Sequence, residues 1–82
     1  MHYIYILLCS DNTLYTGYTN DICKRINTHN KGIGAKYTRG RIPVKLVYSE
    51  EFDDKIEALR REWSIKKLTR KQKLDLIGEF TD

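Results

Sequence analysis

The chain has 82 residues, a formal net charge of +4, two cysteines and one proline. This length favours a single domain over residues 1–82 and excludes a repeat array. The longest apolar run, Tyr3 to Cys9, is far shorter than the ~20 residues that cross a bilayer, so we expect no membrane association. Cys9 and Cys23 lack metal-ligand spacing and make no disulfide framework, so we expect reduced thiols and a cytoplasmic location.

Positive charge is concentrated in the middle of the chain. No Asp or Glu occurs between Asp21 and Glu50. Seven basic residues lie in that interval: Lys24, Arg25, Lys31, Lys36, Arg39, Arg41 and Lys45. Such a local field attracts polyanions, of which nucleic acid is the commonest in the cytosol. The alternative is a hydrated surface that only keeps the protein soluble.

The first elements in the chain have the pattern of a β-hairpin. Residues 2–9 are apolar or aromatic on both alternating faces, which is typical of a strand covered on both sides. Asp11 and Asn12 supply turn chemistry, and a second short strand is expected over residues 13–16.

A helix and a basic loop are expected after the hairpin. Thr19 or Asn20 can cap a helix that runs to about Asn30, with Gly32 just beyond its end. Residues 31–43 (KGIGAKYTRGRIP) hold three glycines and the only proline and show no apolar period, which predicts a loop.

A third strand is expected over residues 44–49. Val44, Leu46 and Tyr48 alternate with other residues there, so the pattern places all three on one face of the sheet.

Two helices are expected in the last third of the chain. Asp53 or Asp54 can cap a helix to about Lys67, and residues 69–72 (TRKQ) have the form of a capping box that opens a last helix toward Ile77. The order β-β-α-β-α-α indicates an α+β fold, in which a small three-stranded, mostly antiparallel sheet is flanked by helices.

Two polar residues border the apolar stripe of the first helix. Arg25 and His29 lie one turn apart beside the stripe formed by Ile22 and Ile26. Together they can offer two donors to a phosphate. The alternative is that His29 interacts with the dipole at the helix C-terminus and that Arg25 only covers apolar surface with its stem.

A carboxylate falls inside the apolar arc of the second long helix. Glu62 has Leu59 and Trp63 on one side of it and Ala58 and Ile65 on the other. Because an unpaired buried carboxylate is costly, we expect it to be paired, protonated or bound to metal. An ion pair with the lysine one turn later is one alternative. The other is a Mg²⁺ site, since one carboxylate suffices when phosphate oxygens and waters complete the coordination.

Tyrosines replace aliphatic residues in the predicted hairpin. Tyr3 and Tyr5 share one face of their strand, and either can lie near Tyr15 across the hairpin. Cross-strand aromatic pairs stabilise sheets, so a purely structural role is the alternative to a site.

Taken in order, these motifs resemble those of the GIY-YIG nuclease family, and of its small stand-alone bacterial members in particular, over nearly the whole chain. Residues 3–5 (YIY) correspond to the first motif and residues 15–17 (YTG) to the second. Arg25 and His29 stand where the family has the arginine and histidine of its first helix. Glu62 stands where the family has its metal-binding glutamate.

The resemblance implies hydrolysis of a DNA phosphodiester by an activated water and one divalent ion, Mg²⁺ or Mn²⁺. Tyr15 would be the general base or would orient the water, and Tyr5 would complete the hydrogen bonds around it. Arg25 would neutralise charge on the scissile phosphate, and His29 would position phosphate or water. Glu62 would hold the metal ion.

The chain also departs from the family pattern. Tyr3 stands for the glycine of the first motif and Thr16 for the isoleucine of the second, whereas Gly17 is retained and would let the backbone approach its neighbours. Many family nucleases have an asparagine late in the domain, and this chain has none after Asn30.

The resemblance and the charge pattern together predict a nucleic-acid surface. Its expected members are Lys24, Lys36, Tyr37, Thr38, Arg39 and Arg41. The first hypothesis is an endonuclease of low sequence specificity or structure selectivity, acting on DNA in repair or turnover, with RNA as a further substrate or a protein partner supplying specificity. The second is a binding module that has lost catalysis. The third is a protein adaptor that uses the helix bearing Trp63.

Overall fold

The chain folds into three strands and four helices within the part described by a computed structural model, which covers the backbone of residues 1–81 and the side chains of residues 1–78. In chain order the elements are β1 (His2–Leu8), β2 (Leu14–Thr19), α1 (Ile22–Asn30), α2 (Lys36–Arg39), β3 (Lys45–Phe52), α3 (Lys55–Lys66) and α4 (Arg70–Thr81). The α+β class and the order of the longer elements are as predicted. None of the described helices is long and apolar enough to cross a membrane.

One antiparallel sheet, with the strand order β2-β1-β3, forms the centre of the fold. Its central strand β1 is buried on both faces, as its two-sided apolar pattern predicts. Ile4 and Ile6 pack with Ala58 and Ile65 on what we call the α3 face. The opposite face, which we call the α1 face, carries a separate cluster listed here by its members: Tyr5, Leu7, Cys9 and Val44, with Tyr15, Ile26 and Leu46 packed against them.

The second strand is longer than predicted, and this moves the start of α1. Thr19 pairs with Tyr3 at the end of β2 and is therefore part of the sheet. Asp21 caps α1 instead, since its Oδ1 accepts a hydrogen bond of 3.1 Å from the backbone N–H of Lys24. The expectation that Thr19 or Asn20 caps this helix is wrong, because strand pairing continues for three residues beyond the predicted end at Thr16.

Residues 31–43 are not a continuous loop. They begin as predicted, with Gly32 at φ 77° just past the end of α1. The single-turn helix α2 then covers residues 36–39, and its first turn is held by Ala35, whose carbonyl accepts from both the backbone N–H and the hydroxyl of Thr38 at 3.0 Å. Local side-chain hydrogen bonding, invisible to an apolar period, makes this turn.

A β-bulge in β3 places its apolar residues on both faces of the sheet. Tyr48 pairs with Ile6, but the next pair along is Leu46 with Leu7, so the register shifts between them. Val44 and Leu46 therefore pack on the α1 face and Tyr48 on the α3 face. The prediction that these three residues share one face is wrong, because the extra residue of a bulge reverses the alternation.

Helix α3 packs on the sheet through a different side from the one its largest apolar residues suggest. Asp54 caps it as predicted, its Oδ1 accepting from the backbone N–H of Ile56 at 3.1 Å. Ala58 and Ile65 are fully buried, whereas Ile56 and Trp63 are 60% and 63% exposed. The apolar arc of the sequence is thus split between the core and the surface.

The predicted capping box opens α4. The backbone N–H of Thr69 donates to Gln72 Oε1 at 2.9 Å, and the backbone N–H of Gln72 donates to Thr69 Oγ1 at 3.2 Å. This reciprocal pair satisfies two donors that the first turn of a helix otherwise leaves unpaired. The last helix therefore starts where the local sequence specifies.

Candidate active site

A hydrogen-bonded chain of side chains runs between β1 and α1 on the α1 face. Tyr5 lies on the central strand, and Arg25 and His29 lie one turn apart on α1, as predicted. Tyr5 Oη is 3.0 Å from His29 Nε2, and Arg25 Nε donates to Tyr5 Oη at 3.4 Å. Tyr5 and His29 are 1% and 0% exposed, so this bond is closed to solvent.

The chain continues from the other ring nitrogen of the histidine. His29 Nδ1 is 2.7 Å from Thr38 Oγ1, and Thr38 Oγ1 donates to the carbonyl of Ala35 at 3.0 Å. A threonine hydroxyl has one hydrogen, and a carbonyl only accepts. Thr38 therefore accepts from His29, which places the imidazole proton on Nδ1.

This fixes the direction of every bond in the chain. Burial and the Arg25 charge both lower the pKa of His29, so its imidazole is neutral near pH 7 and Nε2 is an acceptor. Tyr5 must then donate its hydroxyl hydrogen to Nε2. Burial raises the pKa of Tyr5 despite the opposing charge of Arg25, so the phenol keeps that hydrogen.

The second phenol of the site is Tyr15, which β2 places on the same face. Its ring centre lies 5.4 Å from that of His29 and 6.4 Å from that of Tyr5. Tyr15 is partly exposed. Burial raises the pKa of its phenol, the Arg25 charge lowers it, and the charge of Glu62 raises it. Tyr15 therefore sits in the electric field of both a cation and a carboxylate.

Glu62 is the contribution of α3 to the site. Its side chain is only 19% exposed, and its charge raises the pKa of both Tyr5 and Tyr15. The ion pair weighed as the alternative is present, with Lys66 Nζ 3.7 Å from Glu62 Oε1. At that length, with Lys66 half exposed, the pair is loose and leaves the carboxylate able to take another partner.

Two glycines allow the Tyr5–His29 bond to form. Gly17 pairs with Tyr5 across the hairpin, and a Cβ there would lie 2.6 Å from Tyr5 Cζ and overlap its hydroxyl oxygen. The close approach expected of Gly17 is therefore confirmed. A Cβ on Gly34 would lie 2.5 Å from His29 Nδ1. Gly34 was missed, and the only signal for it is its place among the glycines of the basic segment.

The predicted nucleic-acid residues divide into exposed and buried members. Lys24, Lys36 and Arg39 are exposed. Thr38 differs from them, because its side chain is 0% exposed and is held beneath His29. Its predicted place on the binding surface does not match the structure, since the single turn of α2 points Thr38 inward while its neighbours point out.

The exposed ring of Tyr37 extends the site toward the surface. It stacks on Tyr15 at a centroid distance of 5.9 Å, and the guanidinium carbon of Arg41 lies 4.1 Å from the Tyr37 ring centre. Arg41 forms an ion pair with Asp11, with 2.8 Å between Arg41 Nε and Asp11 Oδ2. Tyr3, the other motif tyrosine, donates to Glu51 at 3.2 Å and takes no part in the chain from Arg25 to Ala35.

The donors present fit only a metal ion that needs few protein ligands. Among residues 1–78 no group of three or more His, Cys, Asp or Glu side chains converges on one point. Glu62 is the carboxylate whose charge reaches the two site phenols, and it offers hard oxygen donors. Such a set suits Mg²⁺ or Mn²⁺ when phosphate oxygens and waters supply the remaining ligands.

The chain is similar in sequence and fold to known proteins. The chain is 66% identical over 78 residues to UPF0213 protein CPE1444 of Clostridium perfringens, a match covering 95% of this chain and 84% of that relative. The solution NMR structure of UPF0213 protein BH0048 from Bacillus halodurans is similar at 51% identity and a TM-score of 0.62, covering 94% of this chain and 82% of that one. The solution structure of protein EF2693 from E. faecalis is similar at 45% identity and a TM-score of 0.65, covering 98% and 85% of the two chains.

A family model also matches most of the chain. The model of the GIY-YIG catalytic domain matches residues 1–75. That range includes the two tyrosine motifs, both polar residues of α1 and Glu62. Because this match covers well over half of the chain, the chain belongs to the GIY-YIG family.

Proposed function

We propose that this protein is a divalent-metal-dependent DNA endonuclease that acts as one domain over residues 1–82. The observation that carries the proposal is the buried chain in which Arg25 and His29 hold Tyr5, with Tyr15 and Glu62 beside it. Membership of the GIY-YIG family supports the nuclease class.

Arg25 is the phosphate-binding group in this proposal. Its Nε is taken by Tyr5, which leaves the two terminal nitrogens of the guanidinium for phosphate oxygens. Arg25 also lines an open pocket with Lys24 and Thr28, so a phosphate can reach it from solvent. Its charge stabilises the negative charge that builds on the phosphate during attack.

Tyr15 orients the attacking water in this proposal. The hydrogen of Tyr5 is committed to His29, so Tyr15 is the phenol that remains to orient a water. Because burial raises the pKa of Tyr15, it carries its proton near neutral pH. It therefore orients the water by a hydrogen bond and relays a proton, and is not a standing phenolate.

Glu62 would hold the metal ion, which supplies Lewis-acid polarisation of the phosphate and a more acidic water. The loose pair with Lys66 fits this role, because the lysine can turn away when the carboxylate is engaged. We further propose that the enzyme is cytoplasmic, where the free thiols of Cys9 and Cys23 stay reduced.

Substrate choice is proposed to depend on DNA structure more than on sequence. The proposed binding surface offers Lys24, Lys36 and Arg39, which contact phosphates, and the ring of Tyr37, which can stack on a base. Phosphate contacts carry no direct sequence information. Low sequence specificity follows.

The testing experiment compares Glu62→Gln with wild type on labelled duplex, nicked, flap, branched and single-stranded DNA, with Mg²⁺ or Mn²⁺. We expect Glu62→Gln to lose cutting by about 100-fold or more while binding is retained. Glu57→Gln is the matched control, since Glu57 is an exposed acid on the same helix. Undiminished cutting by Glu62→Gln, purified free of other nucleases, would refute the site assignment.

A binding module without catalysis is the second candidate. It is favoured by the lack of any asparagine after Asn30, where many family nucleases have one. Asn30 itself does not substitute, because its side chain accepts from the backbone N–H of Val44 at 2.7 Å and donates to its carbonyl at 3.3 Å. Salt-sensitive DNA binding without cutting on every substrate would select this candidate.

A further inference from the structure

Helix α3 presents an apolar stripe to solvent on the side away from the sheet. Ile56, Leu59 and Trp63 are spaced three and four residues apart, so they lie along one side of the helix. They are 60%, 39% and 63% exposed. The core uses the opposite side, through Ala58 and Ile65, so packing within the described part of the chain does not account for the stripe.

Positive charge surrounds the aromatic end of this stripe. Lys67 Nζ lies 3.3 Å from the centre of the Trp63 ring, a cation–π contact. Arg60 and Lys66 flank the ring on the same side of the helix and are exposed. A surface that binds an apolar protein partner would carry acidic as well as basic residues around its apolar side chains. An exposed aromatic ring among cations suits single-stranded nucleic acid instead, because the ring stacks on a base and the cations contact phosphates.

The stripe belongs to the same helix as Glu62. Trp63 directly follows Glu62, so its Cα lies about 3.8 Å from that of the carboxylate residue. Glu62 acts electrostatically on Tyr15, and Tyr15 stacks on the exposed ring of Tyr37. One exposed ring, Tyr37 on α2, thus contacts a site phenol, and the other, Trp63 on α3, follows the site carboxylate in sequence.

We propose that Trp63 is a stacking site for an unpaired base of the substrate, with Lys66 and Lys67 contacting the neighbouring phosphates. The proposal rests on the proposed function and narrows its substrate to DNA with a single-stranded segment that reaches α3. A fully paired duplex keeps its base faces stacked on one another, so it has none to offer the ring. Lys67 is long and flexible, so a base can displace its ammonium group from the ring toward a phosphate.

The chain contains one tryptophan, so its fluorescence reports on this ring alone. We would titrate the full-length protein, in EDTA to prevent cutting, with a dye-labelled single-stranded oligonucleotide and with a blunt duplex. Binding is followed by anisotropy of the label and stacking by Trp63 emission. We expect quenching by the single strand and little by the duplex.

Variants separate stacking from charge. Trp63→Ala should weaken single-strand binding by about 10-fold or more, while Trp63→Phe retains most of it because a phenyl ring still stacks. Leu59→Ala is the matched control on the same stripe and should bind as wild type. Because Trp63 is mostly exposed, its removal leaves the core intact.

The failures of the two proposals are distinguishable. Two results would together overturn the stacking site and leave the nuclease proposal standing. The first is binding, detected by anisotropy of the label, that leaves Trp63 emission unchanged, and the second is wild-type affinity in Trp63→Ala. Self-association that Trp63→Ala abolishes, seen by sedimentation, would assign the stripe to a second copy and likewise overturn the proposal. Absence of binding to any DNA would overturn the proposed function and the stacking site with it.

Discussion

Tyr5 and Tyr48 are buried on opposite faces of the same sheet, and the charges of their partners set them apart. Tyr5 Oη accepts from cationic Arg25 and donates to a neutral histidine. Tyr48 Oη donates to the carboxylate of Glu50, which Arg61 in turn grips through Nε and Nη2, each at 3.0 Å. The two tyrosines are alike in sequence context but not in chemistry.

The partners determine what each phenol can do. Burial and the acceptor Glu50 raise the pKa of Tyr48 to about 12, so that hydroxyl stays protonated beside Glu50 and Arg61. At Tyr5 and Tyr15 the Arg25 charge opposes the effect of burial on the pKa, as Arg61 does at Tyr48, but the Tyr5 hydroxyl bonds His29 and Arg25 where Tyr48 bonds a carboxylate. A tyrosine beside an arginine that still has free nitrogens suggests a reactive site, whereas one that donates to a neutralised carboxylate suggests a structural element.

The largest expected difference between the two faces concerns their arginines. Arg25→Ala should lower DNA cutting by about 100-fold or more, because it removes the charge that stabilises the phosphate. Arg61→Ala should leave the cutting rate of the folded protein unchanged and lower its stability, because Glu50 loses its partner. Cutting rates and urea unfolding of both variants check this. Equal loss of cutting in the two would erase the distinction between the faces.

Gly17→Ala tests the close contact behind Tyr5. The added Cβ would lie 2.6 Å from Tyr5 Cζ, so strand or ring must move, at a cost of about 1–3 kcal/mol typical of overpacking, and cutting should fall with it. Gly40→Ala is the control, since a Cβ there meets nothing within 4 Å. The measurement is thermal or urea unfolding. Similar stabilities for the two variants would contradict the close packing.

Removing the hydroxyl of Tyr5 or of Tyr48 should have a smaller effect on stability and cutting, and it compares the two faces of the sheet directly. Tyr5→Phe leaves His29 Nε2 buried without a donor, at a cost of about 1–3 kcal/mol, and releases Arg25 from its position. Tyr48→Phe should cost about 1 kcal/mol and leave cutting intact. Urea unfolding and the cutting assay test this. The assignment fails if Tyr48→Phe impairs cutting and Tyr5→Phe does not.

The smallest expected effect is on the pH dependence of stability. The pKa of His29 is lowered in the fold from its ordinary 6.5, so above that pH it is neutral in both states and its full contribution is present. Below pH 6.5 the histidine of the unfolded chain binds a proton while that of the folded chain stays neutral, so the free energy of unfolding falls. Urea unfolding at about pH 8 and about pH 5 should show a decline that His29→Gln reduces.

The same histidine offers a direct check on the hydrogen-bond chain. Nitrogen NMR of the His29 ring should show the Nδ1–H tautomer, because Thr38 can only accept from it. Observation of the Nε2–H tautomer would reverse the assigned direction of the chain through Tyr5.

Local patterns in the sequence determined much of this protein. The two-sided apolar run of β1, the caps at Asp54 and Thr69 and the pairing of Arg25 with His29 on α1 all depend on residues within a turn or two of each other. Such features are encoded by spacing and side-chain type, so they were predictable. The same holds for Gly17, whose motif position pointed to a close approach.

Only the tertiary structure decided how these elements face one another. The bulge in β3 places Tyr48 on the α3 face. Thr38 is buried beside His29 and so determines the tautomer of that histidine. Helix α3 packs on the sheet through Ala58, so Trp63 is exposed. Each depends on which of several available sides meets a neighbour distant in sequence. A local pattern cannot specify that choice, because it is made by the fit between surfaces that exist only after folding.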